Sequence, residues 1–128
     1  MSFDIEKEFQ DWLEWYSDGQ DYGFSIRDWK LIWFSSNVLN LDTDDDGMSL
    51  EFGHDVYEVM CVIRDRNNFA YIKDERNYKK YLVVYQLLDA FNLVECGTSI
   101  RGAWFSTDYI NTATYGIVEL NELFRFLE

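Results

Sequence analysis

The sequence predicts an α+β fold, mainly helical with one small antiparallel sheet, on three observations. Its 128 residues, 48% of them hydrophobic and including ten Phe, nine Tyr and five Trp, supply enough apolar surface for one core and read as a single domain over 1–128. Apolar residues recur at helical spacing in several stretches. Near position 100, a run of strand-forming residues is interrupted by glycine in the manner of a hairpin. Disorder of the whole chain is excluded, because a chain that stays unfolded combines high charge with few aromatics.

Residues 2–17 place Ile5, Phe9, Trp12, Leu13 and Tyr16 on one stripe of a helix that Gly19 ends. Asp4, Glu8, Asp11 and Asp18 fall on the opposite side, with Trp15 among them. A second helix starts at Ser25, an N-cap with Asp28 three residues on, turns Ile26, Trp29 and Trp33 inward, and ends by Asn37. Residues 37–52 read as a hairpin, or as two extended pieces, around the acidic loop 42–47, because Asp-Gly is a strong turn signal. Residues 54–66 form the next helix, with Val56, Val59, Met60 and Ile63 on one face. From 74 to 92 the stripe Tyr81, Val84, Tyr85, Leu88 and Phe91 predicts the central helix. Residues 92–97 and 103–110 are then two antiparallel strands, and 116–128 returns to helical spacing through Ile117, Leu120, Leu123, Phe124 and Leu127.

The order of helix, helix and hairpin over residues 54–108 resembles the winged-helix arrangement, in which a recognition helix runs straight into a two-stranded wing. The resemblance is one of shape and implies no function by itself.

Charge narrows the functional classes. With 11 Lys and Arg against 24 Asp and Glu, the net charge is −13, which opposes general binding to nucleic acid or anionic membrane, since both require the protein to neutralise phosphates. The expected partners are basic proteins. No apolar run approaches the roughly 20 residues of a membrane span, and residues 1–9 carry acids where an export signal carries bases and then an apolar stretch. A cytoplasmic protein is expected. Cys61 and Cys96 stand in apolar or strand-like surroundings with only His54 as a nitrogen ligand, and are expected to be reduced and structural.

No catalytic signature stands out. The many carboxylates single out no pair, His54 and Asp55 point apart as neighbours on a helix, and the seven glycines are scattered rather than gathered into a phosphate loop. No enzyme activity and no cofactor are expected. Asp42, Thr43, Asp44, Asp45, Asp46 and Gly47 begin like an EF-hand calcium loop, but the loop then fails. Counting Asp42 as the first position, Gly53 stands where the bidentate Glu belongs and Ser49 where an apolar residue belongs. An acidic solvated turn without metal is the expectation.

The distribution of charge carries the functional reading. Residues 1–21 hold seven acids and one Lys, residues 42–58 hold seven acids and no Lys or Arg, and residues 64–80 hold six bases and three acids. Carboxylates at i and i+4 on a helix stand about 6 Å apart, close to the spacing of successive phosphates along a nucleic-acid strand. Asp4, Glu8 and Asp11 can therefore imitate a short run of backbone. The loop acids Asp42, Asp44, Asp45 and Asp46, if they lie beside the first helix, widen it into a duplex-like surface, with Trp15 and Asp18 at its edge. Such a surface suits the basic groove of a nuclease or a nucleic-acid-guided effector. In composition the chain is similar to phage anti-restriction and anti-CRISPR proteins and to toxin-immunity proteins, which implies a stoichiometric inhibitor. Two other classes compete with this reading. One is a winged-helix regulator meeting phosphates through Arg76, Asn77, Lys79, Lys80 and Arg101; the other is a structural module that oligomerises through its aromatics.

Overall fold

The computed structural model describes residues 4–20, 22–40, 45–65, 69–71, 78–90, 96–100, 102–106, 109–112 and 115–128. Helix α1 (Ile5–Ser17) starts where the Asp4 carboxylate accepts the Lys7 N–H at 3.2 Å. It ends at Asp18 and Gly19, both in the left-handed region at φ 48° and 73°. Helix α2 (Ile26–Trp33) opens on the expected capping box: the Ser25 hydroxyl accepts the Asp28 N–H while the Asp28 carboxylate accepts the Ser25 N–H. At its far end α2 widens into a π-helical segment, Phe34–Val38, rather than closing by residue 37.

Helix α3 (Asp46–Asp65) begins eight residues before the expected start and replaces the expected hairpin. Asp45 is the reason. Its Oδ1 accepts the N–H groups of Gly47 at 2.8 Å and Met48 at 3.4 Å, and its carbonyl accepts the Ser49 N–H. An acid in that position caps a helix, and Asp46 in the first turn meets the positive end of the helix dipole. The Asp-Gly pair that reads as a turn is thus the first turn of a helix.

The remaining elements are β1 (Phe69–Tyr71), α4 (Tyr78–Ala90), β2 (Cys96–Ser99), β3 (Gly102–Ser106), β4 (Tyr109–Thr112), β5 (Gly116–Glu119) and α5 (Leu120–Leu127). The expected β2–β3 hairpin is present and antiparallel, and β1 joins it on the other side of β3. Residues 109–112 leave that sheet and pair with β5 instead, so 116–119 is strand and not helix. Thr112 closes the turn between them, its hydroxyl donating to the Gly116 carbonyl at 2.8 Å and accepting the Tyr115 N–H at 2.9 Å. Gly116, at φ 72°, takes a conformation that L side chains rarely adopt. Ile117 consequently faces solvent, whereas Leu120, Leu123, Phe124, Phe126 and Leu127 of α5 are buried. Of the winged-helix order, the structure holds α4 followed in sequence by a hairpin, with β1 standing between α3 and α4.

Among the described side chains the core centres on α2 and its π-helical extension; of the stripe expected to make 74–92 the central helix, Tyr81, Leu88 and Phe91 lie outside them. Trp29, Leu31, Ile32, Trp33, Phe34 and Val38 are all buried there, packed against Ile5 and Phe9 of α1, Val56, Val59 and Met60 of α3, and α5. Helix α4 adds Val84 and Tyr85 and exposes Val83. Ile26, expected inside, is exposed because it occupies the first residue of α2, short of the packed turns. Helices α2 and α3 cross very closely at Gly53, where a β-carbon would stand 2.5 Å from the Leu31 carbonyl oxygen. Lys30 ties α2 to α5, its ammonium donating to the Phe126 carbonyl at 3.0 Å and lying over the Phe126 ring. Among the described residues, no helix is long and apolar enough to cross a membrane.

Candidate functional site

Trp15 is 77% exposed, on the acidic side of α1 as the helical wheel predicts. A tryptophan so far out of the core is unusual, and this one stands at the end of a series of rings. Its ring lies 6.3 Å from that of Tyr16; Tyr16 stacks on Trp12 at 4.9 Å and 14°; Trp12 neighbours Phe9, which packs edge-on against Trp33 and Phe126 in the core. A continuous series of rings therefore runs from surface to centre, and such pairs hold preferred geometries.

Tyr16 also joins the two acidic segments. Its hydroxyl donates to Asp46 Oδ1 at 2.7 Å, across 30 residues of sequence. The bond to the carboxylate, helped by partial burial, pushes the Tyr16 pKa up to about 12, so the phenol remains a donor throughout the physiological range. The start of α3 thus stands beside the end of α1, and Asp46 lies next to the exposed Trp15.

The other expected site residues fare differently. Asp4 caps α1, and Asp11 forms an exposed ion pair with Lys7 at 2.8 Å, so two acids of the proposed phosphate-like run are already engaged. Glu8 lies on the exposed surface of α1, close enough to Tyr115 for its charge, after burial, to raise that phenol's pKa. Asp18 is exposed at the helix end. Asp45 is the α3 cap. Asp42 and Asp44 lie outside the described residues, as do Arg76, Asn77 and Arg101 of the regulator reading. Lys80, another residue of that reading, donates to Asp55 at 2.8 Å and Glu58 at 3.2 Å, which raises its pKa and occupies its charge. Lys79 is exposed.

Between α1, the π-helical segment and α3 lies a cavity of about 180 Å³, lined by Trp12, Trp15, Tyr16, Ile32, Ser36, Asn37, Asp46 and Ser49. The sequence alone did not point to Tyr16, Ser36 or Asn37. Tyr16 sits on the apolar stripe of α1, and a π-helix leaves no recognisable mark in a single sequence. Such segments occur often at functional sites, and here the wide turn also leaves the fully buried Ser35 hydroxyl without a hydrogen-bond partner among the described residues.

Elsewhere, Asp45 and Asp46, which would be the fourth and fifth positions of a calcium loop, are taken into the helix start. Among the described residues no group of three or more His, Cys, Asp or Glu is placed to hold a metal ion. Cys61 is a free, half-buried thiol whose pKa burial pushes up. Cys96 is the first residue of β2. No protein-family model, no curated protein and no solved structure matches this chain, so its own geometry is the ground for any functional reading.

Proposed function

We propose that this protein is an acidic, non-enzymatic binding module of the cytoplasm that inhibits a basic nucleic-acid-processing enzyme by occupying its nucleic-acid groove. The observation that carries this reading is the Tyr16–Asp46 hydrogen bond, which holds the first residue of the second acidic helix against the end of the first, beside the exposed Trp15. Negative charge on both segments steers a basic groove toward this face, and tryptophan is among the residue types that most often supply contact energy at the centre of an interface. Glu8, Glu14 and Asp18 are the exposed acids of α1 and its end left after Asp4 and Asp11 are engaged within the helix and Glu6 pairs with Lys30 at 3.7 Å.

The test is a competition assay. The protein is added to purified nucleases and nucleic-acid-guided effectors in the presence of increasing duplex. The expected result is stoichiometric loss of cleavage that excess nucleic acid reverses. Inhibition that nucleic acid does not relieve, or complexes formed only with acidic proteins, would refute the reading.

A further inference from the structure

The cavity beside Trp15 has a chemistry of its own. Its aromatic wall is Trp12, Trp15 and Tyr16, and its polar wall is Ser36, Asn37, Asp46 and Ser49. Three of the lining side chains, one aromatic and two polar, have donors already directed within the protein. The Tyr16 hydroxyl donates to Asp46 at 2.7 Å, the Ser36 hydroxyl to the Ile32 carbonyl at 2.9 Å, and the Asn37 amide nitrogen to Ser36 Oγ at 2.8 Å. This bond orients the Asn37 amide, whose carbonyl oxygen accepts from no described residue. Asp46 keeps its second carboxylate oxygen, which no described residue hydrogen-bonds. The cavity therefore combines acceptors, one full negative charge and π-faces. That set complements a planar cation with several N–H donors.

Size narrows the occupant further. At about 180 Å³ the space is below the roughly 300–1,000 Å³ of sites for drug-sized ligands and matches one inserted side chain better than a cofactor. A lysine ammonium is a compact, strongly hydrated point charge, whereas a guanidinium stacks on aromatic rings and forks onto a carboxylate. We propose that this cavity receives an arginine side chain of the protein's basic partner, the guanidinium stacking against Trp15 and hydrogen-bonding to Asp46 and Asn37. The proposal rests on the binding reading above and names the contact by which that reading acquires specificity. Net charge of −13 draws basic surfaces in general; the cavity selects one residue type on them.

The experiment needs no partner. Arginine with both termini blocked is titrated into the full chain, followed by tryptophan fluorescence and by amide chemical shifts, beside blocked lysine, blocked citrulline and free arginine. Blocked arginine is expected to bind saturably, with shifts centred on Trp15, Asn37 and Asp46, and blocked lysine and the neutral citrulline to bind at least about tenfold more weakly. Asp46→Asn, which retains an acceptor for Tyr16, and Trp15→Ala, at an exposed position, should each weaken arginine by a similar factor while far-ultraviolet circular dichroism stays unchanged. No saturable binding, equal binding of lysine, or insensitivity to both variants would overturn the arginine pocket. Tighter binding of free than of blocked arginine would point to a metabolite site and also overturn it. The inhibition reading fails separately, in the cleavage assay, where arginine derivatives play no part.

Discussion

The Tyr16 hydroxyl donates to the Asp46 carboxylate at 2.7 Å, and that bond fixes the entrance of α3 against the exit of α1. Because the bond raises the phenol's pKa to about 12 from the ordinary 10, the native state holds the proton more tightly than the unfolded chain does. The sign follows: the contribution to stability is complete below pH 10 and is lost as pH rises through about 12. Tyr16→Phe should abolish that part of the alkaline loss, so the two proteins' denaturation midpoints should converge as pH climbs. Parallel midpoints across this window would show that the bond contributes nothing in solution.

Two tryptophans should respond oppositely to truncation. Trp33 is fully buried in the core, and Trp33→Ala should cost about 3–5 kcal/mol of stability. Trp15 is 77% exposed, and Trp15→Ala should leave urea unfolding nearly unchanged while weakening partner binding by at least about 2 kcal/mol. A large stability loss from Trp15→Ala would mean that the ring is packed in solution.

Gly53 permits the close crossing of α2 and α3. The β-carbon of an alanine there would meet the Leu31 carbonyl oxygen at 2.5 Å, a backbone atom that cannot swing aside. Gly53→Ala should therefore destabilise by about 1–3 kcal/mol, although alanine is the better helix former and would stabilise an open site by up to about 1 kcal/mol. Denaturant titration distinguishes the two, and a stabilised variant would mean that the helices cross farther apart.

Salt separates steering from packing. If the α1 acids guide the partner, the association rate should fall steeply as the Debye length shrinks from about 30 Å at 0.01 M salt to about 8 Å at 0.15 M. Replacing Glu8 and Glu14 by Gln and Asp18 by Asn should flatten that dependence more than Asp4→Asn and Asp11→Asn, whose carboxylates already serve Lys7 and the helix end. Stopped-flow measurement at several salt concentrations checks this, and equal slopes for all variants would assign the acids to solubility alone.

How much of this was legible depended on the range of the interaction that decides each element. The α1 stripe, the Ser25–Asp28 capping box and the exposed Trp15 are settled by neighbours within one or two turns, and the helical wheel finds them. Asp45 shows the limit: the same Asp, Asp and Gly that favour a turn also make a good cap and first turn, and the packing of Val56, Val59 and Met60 under α2 extends the helix back to meet them. The divergence of 109–112 from the first sheet depends on pairing with 116–119, a stretch that reads equally as the start of α5 because Ile117 matches both periods. Of the site, the acidic and aromatic residues of α1 were readable. The cavity was not, since its walls come from four elements and part of its polar side from a turn of irregular pitch.

That turn has a consequence for how the site can be lost. An α-helix closes each hydrogen bond over four residues and a π-helix over five, so residues 34–38 amount to a helix carrying one residue too many. Deleting one residue there would let the segment close as ordinary α-helix and rotate everything beyond it by about 100° about the axis. Ser36 and Asn37 would leave the cavity wall together. The polar side of the pocket is thus encoded by chain length as much as by residue identity, and a change in register by one position would erase it and turn Val38 and Leu39 out of the core at the same time.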